Sequence, residues 1–271
     1  MIDYEKELNP EQLQVVLEEG GPLLVIAGAG SGKTRTLTYR VARLVESGVP
    51  PERILLATFT NKAARSMLTR VETLIGREIG GLWGGTFHHC AHRTLRSHAP
   101  RLGYATNFSI LDSEDARQLI NTCITETGID GKGDKFPRGD VVGDMISLAV
   151  NTEVPLLDVV AGRYPFFAHR SEEIAAVAAH YRKRKVELNV MDFDDLLFLW
   201  RELLLRFDDV RDFYAGRFLH VLVDEYQDTN RLQAEIMDLV ASRHRNLMVV
   251  GDDSQSIYSF RGANYENIMR F

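Results

Sequence analysis

The ten residues "AGAGSGKTRT" at positions 27–36, which follow the apolar run "GPLLVI", decide the fold of this chain. The apolar run predicts a buried strand that ends near Ala27, and the spacing of apolar residues after Lys33 predicts a helix that ends at Gly48. Glycines in the turn between them let backbone N–H groups converge at the positive end of the helix, where anions bind. The stretch therefore predicts a phosphate-binding loop.

The side chains that follow the glycines fit a nucleotide and its metal ion. Lys33 can reach the β- and γ-phosphates of ATP, and Thr34 can bind Mg²⁺. The strict pattern has glycine at position 27, where this chain has alanine, but the last strand residue contributes little to the loop. A glycine-rich turn without a ligand is the alternative, and the flanking strand and helix favour ATP. The predicted cofactor-binding residues of the loop are Ala27, Gly28, Ala29, Gly30, Ser31, Gly32, Lys33 and Thr34.

The rest of the chain repeats the order of strand, loop and helix. Further buried strands are predicted at 53–59, 82–87, 218–225 and 246–253. This order is typical of an α/β fold with a mostly parallel sheet and helices on both faces. Between about 110 and 190 the pattern becomes helical, which predicts an all-helical insertion. Because parallel sheets bind ligands at the carboxyl ends of their strands, we expect the functional loops there.

Composition limits the class of protein. The chain has 271 residues, 45% hydrophobic and 26% charged, as in ordinary globular proteins. It lacks both an apolar run of about 18 residues and the start of a signal peptide, and two cysteines are too few for a disulfide framework. These features predict a cytoplasmic protein. The net charge of −6 disfavours a general nucleic-acid coat, and the basic runs at 88–101 and 182–185 are either a local track or solvated helix faces.

A second motif, "VLVDEYQD", places adjacent acids at the end of a predicted strand. Asp224 would hold Mg²⁺, and Glu225 would orient and deprotonate the water that attacks the γ-phosphate. A pair of surface acids that starts a turn is the alternative. The apolar strand before them directs both acids to the sheet edge that carries Lys33, which favours the catalytic interpretation.

A third motif, "GDDSQSIYSFRGA" at 251–263, follows the last predicted strand. Gln255 could sense the γ-phosphate, and Tyr258 and Phe260 offer ring faces on which nucleic-acid bases stack. Two aromatic residues at this spacing are also typical of a protein core. The neighbouring Arg261 and the small residues around the rings favour a nucleic-acid contact.

Seven motifs together resemble the UvrD/PcrA/Rep family of superfamily 1 DNA helicases. In order they are "LNPEQ", "AGAGSGKT", "FTNKAA", "GTFH", "MDFDDLL", "VDEYQDTN" and "GDDSQSIYSFRGA". The resemblance implies a RecA-like P-loop NTPase fold, with ATP and Mg²⁺ as cofactors. It also implies a RecA-like motor domain in two segments, 1–110 and 191–271, interrupted by a helical inserted subdomain at 111–190.

The resemblance implies roles for further residues. Gln12 matches a glutamine that reads adenine, and Arg35 matches an arginine that packs on the base. Two positions depart from the family: Phe260 replaces the usual tryptophan, and His89 replaces the usual serine and receives no role. The predicted DNA-binding residues are Phe59, His88, Tyr258, Phe260 and Arg261.

Two groups of residues could instead bind a metal ion. His88 and His92 share a helix face, but the zinc-protease pattern needs glutamate at position 89, where this chain has histidine. Cys90 between them points elsewhere on a helix. The acids Asp192, Asp194 and Asp195 could hold a cation, although an acidic first turn capped by Asp192 is the more ordinary interpretation.

These features predict the first motor domain of an ATP-dependent DNA helicase that tracks on single-stranded DNA and meets single-strand/duplex junctions. Because the chain ends at Phe271, the resemblance implies that the second motor domain and the catalytic arginines are missing and that the chain alone is inactive as a helicase. The alternatives are a P-loop phosphotransferase acting on a small molecule and a non-catalytic ATP-binding module. The predicted catalytic residues are Lys33, Asp224, Glu225 and Gln255.

Overall fold

The computed structural model describes residues 2–28, 30–129, 136–252, 267 and 271. Its strands are β1 (Leu23–Ile26), β2 (Ile54–Thr58), β3 (Trp83–Thr86), β4 (Ser109–Ile110), β5 (Val190–Met191), β6 (His220–Val223) and β7 (Leu247–Gly251). Its α-helices are α1 (Tyr4–Glu7), α2 (Pro10–Leu17), α3 (Lys33–Glu46), α4 (Asn61–Ile75), α5 (Phe87–His98), α6 (Ser113–Glu126), α7 (Gly139–Thr152), α8 (Leu156–Arg163), α9 (Ser171–Glu187), α10 (Phe193–Arg206), α11 (Asp208–Arg217) and α12 (Arg231–Ala241). No single helix among the described residues has the length and apolar composition to cross a membrane. Helices α7 and α8 have that length and composition only when taken together, and the two are bent by 115° relative to each other.

Five strands form one parallel sheet in the order β1-β7-β6-β2-β3. Strands β2 and β7 are buried at all five of their positions. Since neighbouring residues of a strand point to opposite faces, both faces of these strands are covered by other parts of the chain. The predicted mostly parallel α/β sheet is confirmed, and each of its strands lies within the range that the sequence indicated.

The register brings the ends of the strands to one edge of the sheet. Because all strands run in the same direction, the loops that follow them start side by side. These loops carry the three motifs of the sequence. The paired residues at this edge are Ile26 with Gly251, Ala57 with Val223, and Thr58 with Thr86.

Helices α3 and α4 cover one face of this sheet. The α3 side chains Leu37 and Val41 pack with Met67 and Val71 of α4 and with Leu56 of β2, and all five are fully buried. Each pair of helix residues is four positions apart, the spacing that places side chains on one helix face. Full burial of each such side chain contributes about 1.5–3 kcal/mol, so this layer fixes the helix that follows the phosphate-binding loop.

The chain separates into two compact units, residues 1–91 with 203–271 and residues 92–202. In the second unit β4 pairs in parallel with β5, and the residues described between them contain helices α6 to α9 and no further strand. Helices α6, α7, α8 and α9 enclose a hydrophobic core of their own. The compact units divide after residues 91 and 202, whereas the sequence predicts divisions after 110 and 190. The assignment of a motor domain and an inserted subdomain therefore stays a prediction.

A buried ion pair joins α9 to the start of α10 in the second unit. Lys185 Nζ lies 2.7 Å from Asp192 Oδ2 and 2.6 Å from Asp195 Oδ2, and the Tyr181 hydroxyl donates a hydrogen bond to Asp192. Asp192 Oδ1 also accepts a hydrogen bond from the Asp195 N–H, so the predicted helix cap is confirmed. Burial, with Asp192 beside it, raises the pKa of Asp195 to about 6. The sequence left open that the acids at 192–195 hold a metal cation. In the structure the ammonium group of Lys185, from the basic run 182–185, lies between two of these acids.

Candidate nucleotide-binding site

The loop between β1 and α3 has the backbone that an anion site needs. Gly30 and Gly32 have φ angles of 77° and 90°, in the left-handed region that favours glycine. The N-cap of α3 is Gly32, which has no side chain to bond the first N–H groups of the helix, and such N–H groups bind anions. A Cβ added at Gly28 or Gly30 would meet no atom within 4 Å, which leaves open space beside the backbone. Ala29 lies outside the described residues.

Lys33 forms ion pairs with acids that follow β6 and β7. Its Nζ lies 3.2 Å from Asp252 Oδ2 and 3.7 Å from Glu225 Oε2. The Lys33 side chain is 9% exposed and that of Asp252 is fully buried. The sequence predicts that Lys33 and the acids after β6 lie at one edge of the sheet, and the structure places Glu225 beside Lys33 at that edge. The contact with Asp252 was not predicted, although its position directly after a buried strand is a signal for it.

Asp224 directly follows β6, and one oxygen of its carboxylate is not hydrogen-bonded within the described part of the chain. The residue is 4% exposed, and its Oδ1 has no hydrogen-bond partner among the described residues. Burial raises the pKa of Asp224 to about 6, and Glu225 adds to the rise. A buried anionic oxygen without a donor is unfavourable, and hard oxygen ligands of this kind are those that Mg²⁺ takes. The carboxylate therefore fits the metal ion that the motif implies, and Thr34 stands in the first turn of α3 beside Lys33.

Glu225 is held in an unusual backbone conformation. Its φ of 51° and ψ of 44° lie in the left-handed region, which costs a non-glycine residue about 1–2 kcal/mol. Gln227 Nε2 donates a hydrogen bond of 2.8 Å to Glu225 Oε2. The other end of the same amide, Gln227 Oε1, accepts a 3.0 Å hydrogen bond from the Asp252 N–H. The sequence analysis assigns no role to Gln227. Its position two residues after Glu225, the candidate base, is the one feature of the sequence that could have indicated this contact.

The two residues assigned to adenine lie beside the phosphate-binding loop. Gln12 Nε2 donates to the Ser31 carbonyl at 3.1 Å, which ties α2 to the loop. The Arg35 guanidinium binds the Glu7 carbonyl at 2.7 Å and its carboxylate at 2.9 Å, and lies 4.7 Å from the ring of Tyr39. Both side chains thus reach the loop and its flank, while their contact with a base stays a prediction.

The residues assigned to DNA fall into two groups. Phe59 directly follows β2, where it is half-buried with its ring centroid 5.5 Å from that of Phe87. His88 lies in the first turn of α5, directly after β3, the neighbour of β2 in the sheet. The structure therefore brings these two to the edge that carries Lys33. The others, together with the γ-phosphate sensor of the third motif, lie outside the described residues: Gln255, Tyr258, Phe260 and Arg261.

The histidine and cysteine alternative for a metal site finds no support. Cys90 is buried, and His92 Nε2 accepts a hydrogen bond from Arg96 Nε at 2.9 Å. Within the part of the chain that the structure describes, metal-ligating atoms of three residues approach within 4.8 Å at one place only. That group lies in the second unit, where the Arg184 guanidinium already binds its carboxylate, and consists of Cys123, Glu126 and His180.

Comparisons with known proteins agree with this arrangement of motifs. The sequence profile of the UvrD/REP helicase N-terminal domain matches residues 8–271. The chain is 44% identical over 267 residues to the ATP-dependent DNA helicase PcrA of Bacillus subtilis (strain 168). The alignment covers 97% of this chain and 35% of that protein. It is 40% identical over 265 residues to PcrA of Staphylococcus aureus (strain Mu50), and that alignment covers 97% of this chain and 36% of the relative. Because the profile match spans nearly the whole chain, this protein belongs to the UvrD/REP helicase N-terminal domain family.

Proposed function

We propose that this chain is the ATP-binding motor portion of an ATP-dependent DNA helicase and that Mg·ATP binds at the loop between β1 and α3. The proposal depends mainly on the ion pairs of Lys33 with Glu225 and Asp252. These two acids follow β6 and β7, which are neighbouring strands of the parallel sheet. The relatives named ATP-dependent DNA helicase support the reaction class. Phosphoryl transfer uses a lysine that binds the phosphates, an acid that holds the metal ion and a residue that orients the attacking water, and residues of all three kinds lie at this edge of the sheet.

Each residue of the site has a part in hydrolysis. The loop N–H groups and Lys33 bind the β- and γ-phosphates, and Lys33 leaves Asp252 as it does so. Asp224 and Thr34 would hold Mg²⁺, which would neutralise charge on the phosphates. Glu225 orients a water molecule and accepts its proton as the water oxygen attacks the γ-phosphorus and the bond to the β-phosphate oxygen breaks. Gln12 and Arg35 are the proposed contacts to adenine, and the resemblance to the helicase family gives Gln255 the role of γ-phosphate sensor.

Single-stranded DNA is the proposed partner along the same edge of the sheet. Phe59 and His88 follow neighbouring strands there, and bases stack on aromatic side chains of such loops at about 1–3 kcal/mol per base. Replacing Phe59, Tyr258 and Phe260 together with alanine should weaken binding of an oligonucleotide by that amount for each ring lost. Phe166→Ala is the matched control, because that ring is 75% exposed in the second unit. A triple variant that binds as tightly as wild type would mean that the rings are core residues.

The relatives are almost three times as long as this chain, which bears on how the motor is completed. We place two segments of the first motor domain at 1–110 and 191–271 and the inserted subdomain at 111–190. We infer that the whole protein supplies two catalytic arginines, one late in the first motor domain and one in a second motor domain. An arginine finger typically contributes 10³–10⁵ in rate, or about 4–7 kcal/mol of barrier. Residues 1–271 alone should therefore bind ATP weakly, hydrolyse it slowly and unwind no duplex.

The test compares this chain with a hybrid protein, in which residues 1–271 replace the matching N-terminal part of Bacillus subtilis PcrA. We expect ATP turnover that poly(dT) stimulates in the hybrid protein and only slow turnover by the chain alone. Stimulated turnover by the chain at the rate of the hybrid protein would contradict the missing-arginine inference. ATP binding without turnover in the hybrid protein would indicate a non-catalytic module, and phosphate transfer to a small acceptor without a DNA effect would indicate a phosphotransferase.

A further inference from the structure

Gln227 is a buried side chain that bridges the ends of two strands. It lies in the short turn Tyr226–Asp228 after β6 and is 2% exposed. Its amide N–H donates to Glu225 Oε2 at 2.8 Å, and its amide oxygen accepts from the Asp252 N–H at 3.0 Å. A single side chain therefore holds the candidate base after β6 and the first backbone amide after β7.

The backbone around Glu225 explains why such a bridge is needed. The left-handed conformation of Glu225 turns the chain out of the strand, and the Asp228 N–H closes the turn on the Glu225 carbonyl at 2.9 Å. The turn is closed by backbone atoms alone, and the Glu225 side chain is 38% exposed, with Lys33 Nζ 3.7 Å from its Oε2. A carboxylate that must orient water needs one oxygen anchored, because loss of orientation raises the barrier directly. Gln227 supplies that anchor from the buried side.

We propose that Gln227 is a positioning residue for ATP hydrolysis. It holds one oxygen of Glu225 and leaves the other for the attacking water, and it fixes the carboxylate relative to the Asp252 backbone, where the third motif continues. The inference rests on the proposed function, since it gives Glu225 the role of base. Gln227 itself contacts neither the nucleotide nor the attacking water, and it affects hydrolysis only by orienting the Glu225 carboxylate.

Two substitutions separate the two ends of the bridge. Gln227→Met keeps the length of the side chain and loses both hydrogen bonds, whereas Gln227→Glu keeps an acceptor for the Asp252 N–H and loses the donor to Glu225. The matched control is Gln118→Met, which removes an exposed glutamine whose amide donates to Glu114 at 2.8 Å. Single-turnover hydrolysis and equilibrium binding of Mg·ATP are measured for each variant in the chain and in the hybrid protein.

We expect both Gln227 variants to hydrolyse ATP about 10–100-fold more slowly, the range for loss of a hydrogen bond to a charged group. Affinity for Mg·ATP should change less than threefold, and the control should behave as wild type. Amide hydrogen exchange at Asp252, followed by NMR, should accelerate in Gln227→Met and not in Gln227→Glu. Hydrolysis by both variants at the wild-type rate would overturn the proposal.

A double substitution tests whether Gln227 acts through Glu225. Glu225→Gln alone should slow hydrolysis strongly, and adding Gln227→Met should slow it no further, because the base is already gone. Losses that multiply in the double variant would overturn the proposal, since Gln227 would then act elsewhere. Glu225→Gln with wild-type hydrolysis would instead refute the proposed base, and with it the function on which this inference rests.

Discussion

Replacing Asp224 with asparagine is expected to make the nucleotide-free protein more stable at pH 8. Burial and the neighbouring Glu225 raise the pKa of Asp224 to about 6, above the value of about 3.9 for an unfolded chain. The folded protein therefore binds this proton more tightly than the unfolded one. Stability from this group is greatest below about pH 4, falls as the pH rises to about 6, and is lowest above that value.

The size of the gain follows from the raised pKa. A rise of about two pKa units corresponds to ~3 kcal/mol at 1.36 kcal/mol per unit. Asparagine removes the charge but leaves a buried amide with unpaired groups, which costs about 1–2 kcal/mol. The net gain of about 1–2 kcal/mol at pH 8 should raise Tm by ~2–8 °C. At pH 5 the carboxyl is mostly protonated, so the gain should vanish or reverse.

Thermal unfolding at pH 8 and pH 5, without nucleotide or Mg²⁺, measures this difference. Asp212→Asn is the matched control, because its side chain is 73% exposed and its replacement should change stability by less than about 0.5 kcal/mol. Addition of Mg·ATP should raise Tm of the wild type and not of Asp224→Asn. A variant that is less stable at pH 8, or equally stabilised at both pH values, would refute the argument that a buried charge is the cause.

Two further substitutions test the second unit by denaturant unfolding. Gly139→Ala would place its Cβ 2.8 Å from the Arg117 carbonyl oxygen and should destabilise by about 1–3 kcal/mol, whereas Gly162→Ala, with nothing within 4 Å, should stabilise by up to about 1 kcal/mol. Lys185→Met leaves two largely buried carboxylates without their cation and should cost about 3–5 kcal/mol at pH 8 and less at pH 5, where Asp195 takes up a proton. Lys183→Met, at a 73% exposed side chain, should change little. Equal effects within either pair would contradict the packing described.

The elements of the fold could be predicted from the sequence because their signals are local. The run 53–59 is apolar throughout, and β2 is buried at every position. Helix α3 ends at Glu46, two residues before Gly48, which has a φ of 96°. The strand order and the short pairing of β4 with β5 could not be predicted, because they depend on contacts between residues far apart in the sequence.

The candidate site was predictable in part for the same reason. Lys33 and Asp224 stand in motifs whose chemistry is fixed by a few neighbouring residues. Lys33 and Asp252 stand 219 positions apart, so their contact depends on the order of strands in the sheet, and the only local signal is that Asp252 directly follows a buried strand. Likewise, the basic run 182–185 gives no sign that Lys185 is buried between two carboxylates. The stacking role of Tyr258 stays a prediction, since that residue lies outside the described part of the chain.

Calorimetric titration of Mg·ATP into the 271-residue chain tests the central claim most directly. Lys33 supplies positive charge to the phosphates, so wild type should bind and Lys33→Ala should bind at least about 100-fold more weakly, a loss of ~2.7 kcal/mol. The matched control, Lys183→Ala, changes an exposed lysine of the second unit and should bind as wild type does. Circular dichroism should show that both variants are folded. Unchanged affinity in a folded Lys33→Ala variant would contradict the assignment of this loop as the ATP site.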